Sequence, residues 1–143
     1  MKCDEENLWS YLAGFIDADG SVSLSVTVVH GRLSFKPSLC LYVGERDYGK
    51  ISDVLDLLGG HLFFDDRRHL AFSTVPIWHI VVSSQEALLR VLKRLLPHLR
   101  IKRAQAETLI AAVEYRKVRG RKAVGSVEED FRDKIQKLNA RRD

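Results

Sequence analysis

The chain has 143 residues, 45% of them hydrophobic, which is the size of one ordinary domain and enough to bury a sizeable core. No run of about 18 apolar residues occurs, and the start Met1-Lys2-Cys3-Asp4-Glu5-Glu6 lacks the layout of a signal peptide, so we expect a soluble intracellular protein without a membrane span, cytoplasmic in a prokaryote or organellar in a eukaryote. Cys3 and Cys40 match no metal-ligand spacing and read as free thiols, and the net charge of +4 divides into −5 over residues 1–89 (7 Lys/Arg, 12 Asp/Glu) and +9 over residues 90–143 (16 and 7), a basic second half that suits either phosphate or a solvated helical surface.

Along residues 7–16, Leu8, Leu12 and Phe15 recur at helical spacing with Trp9, Ala13 and Ile16 beside them, which predicts a largely buried helix ended by Gly20. Residues 21–28 then alternate, Val22, Leu24, Val26 and Val28 against Ser21, Ser23, Ser25 and Thr27, as a half-buried strand does. After the turn signal His30-Gly31-Arg32 the alternation resumes over residues 33–43, with Leu33, Phe35, Leu39, Leu41 and Val43 inward and Ser34, Lys36, Ser38, Cys40 and Tyr42 outward. A helix follows from about Asp47, which can cap it, and stops at Gly59-Gly60. Residues 61–64 and 77–83 read as strands, and the stretch between them holds a charged turn, Asp65-Asp66-Arg67-Arg68, with room for a short strand of its own. Ser84 starts a helix that stops near Pro97, and residues 101–118 and 127–138 supply two more helices around the basic run at 116–122. This order describes one antiparallel sheet with helices on one face, an α+β arrangement whose other face is wet enough to hydrogen-bond base edges or simply to face water.

Leu12-Ala13-Gly14-Phe15-Ile16-Asp17-Ala18-Asp19-Gly20 sets two carboxylates at the end of a helix where the macrodipole is negative. A divalent cation bound by carboxylate and carbonyl oxygens would offset that; a plain Asp-Gly helix stop accounts for Asp19-Gly20 alone. A calcium loop fails on spacing, since its last ligand position falls on Val26, or on Val28 counted from Asp17. The small pair Ala13-Gly14 would let the same helix of a second subunit approach, and two-fold symmetry would bring two Asp19 carboxylates together.

Those nine residues resemble the signature of the LAGLIDADG homing endonucleases at eight of nine positions, Phe15 standing where the signature has leucine, and the order of elements agrees with that family over essentially the whole chain. The resemblance implies one LAGLIDADG endonuclease domain over residues 1–143 with an αββαββα fold, its sheet saddle-shaped, its motif helix at about 7–18 and its C-terminal helices at about 101–140. It implies a homodimer with Leu12, Ala13, Gly14 and Ile16 at the interface, and Mg²⁺ (or Mn²⁺ or Ca²⁺) on Asp19 and the Ala18 carbonyl. Asp17 takes a structural role at the helix end. Lys102, with Arg100 and Arg103 as alternatives, stands for the basic residue near the scissile phosphate, and Glu45 for a polar residue that organises water. Gly49 stands where some relatives carry an arginine, with Arg46 or Lys50 as substitutes. Ser23, Ser25, Thr27, Arg32, Lys36, Ser38, Cys40 and Tyr42 become the DNA contacts, with Arg67, Arg68 and His79 beside them. The implied activity is Mg²⁺-dependent double-strand cleavage of DNA at a long near-palindromic site; an intron maturase that binds intron RNA, or a non-cutting DNA-binding regulator, would be the alternatives on the same scaffold.

Overall fold

In the computed structural model the chain runs α1 (Lys2–Asp19), β1 (Ser21–Val29), β2 (Arg32–Gly44), α2 (Glu45–Leu55), β3 (His61–Asp65), β4 (Ile77–Val82), α3 (Gln85–Leu95), α4 (Arg103–Arg119) and α5 (Ser126–Ala140). Residues 2–65 and 76–140 are the ones it describes. The strands form one antiparallel sheet in the order β1-β2-β4-β3, and the predicted succession of elements holds among the described residues, the charged turn expected at 65–68 lying almost wholly outside them.

The alternation holds through the sheet's centre, while Val28, expected inward, is 68% exposed near the hairpin turn, and residues 61–64 of β3 are exposed on both faces. Val22, Leu24 and Val26 of β1, Leu39, Leu41 and Val43 of β2, and Ile80 and Val82 of β4 are buried on one face. That face packs on Trp9, Leu12 and Ile16 of α1, on Leu88, Val91, Leu92 and Leu95 of α3, and on Ala106, Leu109 and Val113 of α4, all in one continuous core. Each large aliphatic side chain so buried contributes about 1.5–3 kcal/mol. The hairpin turn is the two residues His30 and Gly31, both at positive φ (51° and 77°), the type I′ geometry that matches strand twist.

Two glycines allow close approaches. At Gly20 a Cβ would lie 2.9 Å from the Cα of Ile16, so only glycine lets the chain leave α1 and enter β1 against its own last turn. At Gly60 a Cβ would run into the Val81 carbonyl oxygen.

β1 is an edge strand, and α5 closes that edge. Arg132 Nη1 donates to the Val26 carbonyl (3.1 Å) and Asn139 Nδ2 to the Val22 carbonyl (3.0 Å), which satisfies acceptors that would otherwise template pairing with another chain. Glu128 and Arg116 lock α5 to α4 through a buried pair at 2.6 Å.

Two helix starts differ from the spacing. α1 begins at Lys2 rather than near Asn7, because Asp4 and Glu5 suit the positive first turn and Arg94 holds Glu5 (3.4 Å) and Glu6 (3.0 Å). α2 begins at Glu45 with Gly44 as its uncapped N-cap, so Asp47 lies inside the first turn and pairs loosely with Lys50 at 3.6 Å. Ser84 caps α3 as expected, its Oγ accepting from the Ala87 N–H at 3.2 Å. Among the described residues no helix is long and apolar enough to cross a membrane.

Candidate metal and nucleic-acid site

The last turn of α1 leaves two carboxylates in different surroundings. Asp17 turns toward the loop ahead of α4 and accepts the backbone N–H groups of Arg100 (2.9 Å) and Lys102 (3.0 Å), while the Lys102 ammonium donates back to the Asp17 carbonyl at 2.9 Å. Lys102 is the N-cap residue of α4, and its side chain does not cap that helix, so Asp17 supplies from 85 residues away an acceptor for a donor near the helix start. The structural role expected of Asp17 is therefore a clasp between two helices rather than a cap on its own.

Asp19 is exposed and its carboxylate has no hydrogen-bonding partner among the described residues. Its position at a helix end, where the dipole is negative, disfavours an anion without a counter-charge. Among the described residues no three acidic, histidine or cysteine side chains gather to hold a metal, so within one chain Asp19 is a lone carboxylate beside the end of α1, where the Ala18 backbone lies. Such hard oxygen donors fit a divalent cation of the Mg²⁺ type whose remaining ligands come from outside the chain. Lys102 is half-buried beside this end of α1 through its bond to Asp17. Glu45 is exposed at the start of α2, its N–H donating to the Pro76 carbonyl at 3.0 Å. Arg46 and Lys50 are exposed on the same short helix, and Gly49 has open space around it.

The outer face of the sheet is open. On its hairpin half Ser25 opposes Lys36, Thr27 opposes Ser34, and Arg32 stands beside the turn. Ser23 and Ser38 share a hydrogen bond of 2.8 Å, and the free thiol of Cys40 lies 3.8 Å from the Ser38 hydroxyl. Two predicted contacts thus partner each other. On the other half Tyr42 opposes His79, which opposes Phe63, and the Tyr42 and His79 rings stack at 4.3 Å and 9°. His79 Nε2 is buried with no hydrogen-bonding partner among the described residues, so His79 presents ring carbon rather than this nitrogen. Phe63 and His61 were absent from the expected contacts, although their alternation with Leu62 and Phe64 placed them on one face. Arg67 and Arg68 lie outside the described residues.

A further basic feature sits at the hairpin end. Arg116 donates to the carbonyls of Gly120 (3.3 Å) and Lys122 (3.0 Å), and Glu128 accepts the Gly125 N–H at 3.1 Å, so the loop between α4 and α5 is held in shape from within. Burial raises the Glu128 carboxyl, but the Arg116 hydrogen bond, backbone N–H groups and the Arg116 charge outweigh it and hold the group below its ordinary value of 4.5. Arg121 and Lys122 of that loop line a cleft with Arg32 and Leu33. The basic run was visible in the sequence; its meeting with Arg32 was not.

The expected dimer face needs correcting. Leu12, Ala13 and Ile16 are 0% exposed, turned wholly into their own core, and have no surface left for a second chain. Gly14 is exposed, a methyl group placed on it would meet nothing within 4 Å, and it shares an open stripe of α1 with Asn7, Tyr11 and Ala18.

No protein-family description matches the chain, and no curated protein matches it in sequence. Solved structures do match in shape. The homing endonuclease I-CvuI, in complex with the I-CreI target in the presence of 2 mM Mg, superposes with a TM-score of 0.71 at 21% identity, over 96% of this chain and 86% of that one. The LAGLIDADG homing endonuclease I-GzeII, in complex with its DNA target, gives 0.67 at 16% identity over 96% of this chain and 45% of that chain. I-TnaI, a further homing endonuclease, gives 0.63 at 14% identity over 91% of this chain and 84% of that one. The fold is that of the LAGLIDADG homing endonucleases, as the motif implied.

Proposed function

We propose that this chain, a LAGLIDADG homing-endonuclease fold, is a site-specific DNA endonuclease that makes metal-dependent double-strand breaks at a long near-palindromic target. The observation that carries the reading is an exposed Asp19 at the end of α1, its carboxylate without a partner among the described residues, together with Lys102 fastened to the same helix end through Asp17. The open sheet face, with Arg32 and Lys36, and the exposed cations Arg46 and Lys50 supply the surface for duplex DNA.

Asp19 and the Ala18 carbonyl would hold Mg²⁺, or Mn²⁺ or Ca²⁺ in its place, and the ion's chemistry there is to lower the pKa of water and neutralise phosphate charge. The chain's own groups do the rest. The Lys102 ammonium stabilises negative charge as it develops on the phosphate oxygens. The Asp17 clasp holds that ammonium at a fixed place relative to Asp19, and the Glu45 carboxylate, exposed at the start of α2, orients water.

Residues 1–143 act as one endonuclease domain, and two copies form the enzyme. The exposed stripe Tyr11, Gly14 and Ala18 of α1 is the contact surface, small enough at Gly14 and Ala18 for helix backbones to approach and bring two Asp19 residues together. A homodimer of this kind reads a near-palindrome.

The test is a selection of cleaved sequences from a randomised near-palindromic duplex library, with Mg²⁺ and with chelator, beside Asp19→Asn. Mg²⁺-dependent breaks at one pseudo-symmetric sequence, lost in the variant, support the reading. Binding without cutting would replace it with a DNA-binding regulator, and preference for folded intron RNA would replace it with a maturase.

A further inference from the structure

The outer face of the sheet is divided chemically along the strands. From the hairpin turn as far as the Ser23–Ser38 pair it carries Val29 opposite Arg32, then Thr27, Ser34, Ser25, Lys36, Ser23 and Ser38, which apart from Val29 are cations and hydroxyls. Nearer the end where β1 leaves α1 and Asp19, the row Ser21–Cys40–Val81–His61 is followed by the row Tyr42–His79–Phe63. Tyr42 is 46% and Phe63 53% exposed.

In that half the Tyr42 and His79 rings stand face to face at 4.3 Å and 9°, so each covers one face of the other. Phe63 leans on the far side of His79 at 6.1 Å and 43°, so the row is a ridge of ring edges and apolar side chains. The Nε2 of His79 is buried beneath this row and is not presented to a ligand. Arg32 and Lys36 lie on the same face, cations suited to a polyanion. Among the groups a duplex presents in its major groove, the one apolar group is the thymine 5-methyl.

We infer that the part of each half-site nearest the cut is recognised by apolar contact of Tyr42, Phe63 and Val81 with thymine methyl groups, whereas the outer part is read by hydroxyls and cations. This rests on the duplex-DNA reading above. It assigns a specificity-determining role to Phe63 and Val81 and changes the expected role of His79 from a polar contact to a ring that props Tyr42 and Phe63.

The experiment takes the sequences recovered by the library selection and replaces each thymine, one at a time, by deoxyuridine, which differs only in lacking the methyl. Cleavage should fall about fourfold per methyl at the positions nearest the cut and stay unchanged at the outer ones. Phe63→Ser and Tyr42→Ser, both changes at half-exposed side chains, should abolish the inner deoxyuridine penalty and leave the outer positions as they were. An inner half-site without thymine, equal tolerance of deoxyuridine throughout, or discrimination that survives both variants overturns the inference and leaves the endonuclease reading standing. A library that yields no bound or cleaved duplex overturns both.

Discussion

Changing Glu128 to glutamine tests the most buried charge in the described protein. Glu128 is 1% exposed, and the Arg116 side chain that meets it at 2.6 Å is 10% exposed. Glutamine keeps the shape and one acceptor but leaves the guanidinium without a counter-charge, and breaking a buried pair from one side costs about 3–5 kcal/mol. Because glutamine retains a hydrogen bond we expect about 3 kcal/mol, or a fall in Tm of about 10 °C for a chain of this size. The pH dependence adds a second readout. The folded carboxyl lies below its ordinary 4.5, so its stabilisation is complete above that value and is lost as pH falls through the folded value. Urea denaturation of both proteins from pH 7 downward should therefore show the gap between them closing on acidification below 4.5. A gap under about 1 kcal/mol at pH 7, the range of an exposed pair, or one that does not shrink in acid, refutes the reasoning.

Gly14→Ala and Gly20→Ala should part company: the first meets no atom within 4 Å and should raise monomer stability by about 0.5–1 kcal/mol while shifting sedimentation toward monomer, the second meets Ile16 at 2.9 Å and should destabilise by about 1–3 kcal/mol. Asp17→Ala removes the acceptor of two backbone N–H groups and should cost about 2–3 kcal/mol in thermal melts, with cleavage falling although Asp19 is intact. Lys102→Met should lower single-turnover cleavage by about 100-fold or more and leave duplex affinity within about threefold. The pair Arg121→Ala and Lys122→Ala should weaken binding alike on all sequences and reduce the salt slope by about one per cation removed, as fluorescence anisotropy at several salt concentrations would measure.

Much of the fold was legible because each element repeats at its own period. Val22, Leu24 and Val26 fall on the buried face and Ser21, Ser23, Ser25 and Thr27 on the other for reasons local to β1, and the type I′ turn follows from His30-Gly31. What could not be read were relations between distant residues. The helical spacing of Leu12, Ala13, Gly14 and Ile16 does not say which side of α1 meets the core and which a second chain, and the structure gives three of the four to the core. Nor could the sequence say what offsets the acidic first half: Glu5 and Glu6 meet Arg94, and Glu6 also meets His98 at 3.0 Å, so some of the charge imbalance is settled inside the protein. The motif picked out Asp17 and Asp19 together, yet only the folded chain separates a carboxylate tied to two N–H groups from one left open.

The clasp also bears on the order in which the protein is made. Asp19 leaves the ribosome early, whereas Arg100 and Lys102 follow more than 80 residues later. Until they emerge, the nascent chain holds the whole nine-residue signature with neither the donors that anchor its end nor the ammonium beside it. A product terminated ahead of residue 100 would carry the recognisable motif without its clasp, so an intact signature is insufficient evidence that a shortened copy holds the end of α1 as the whole chain does.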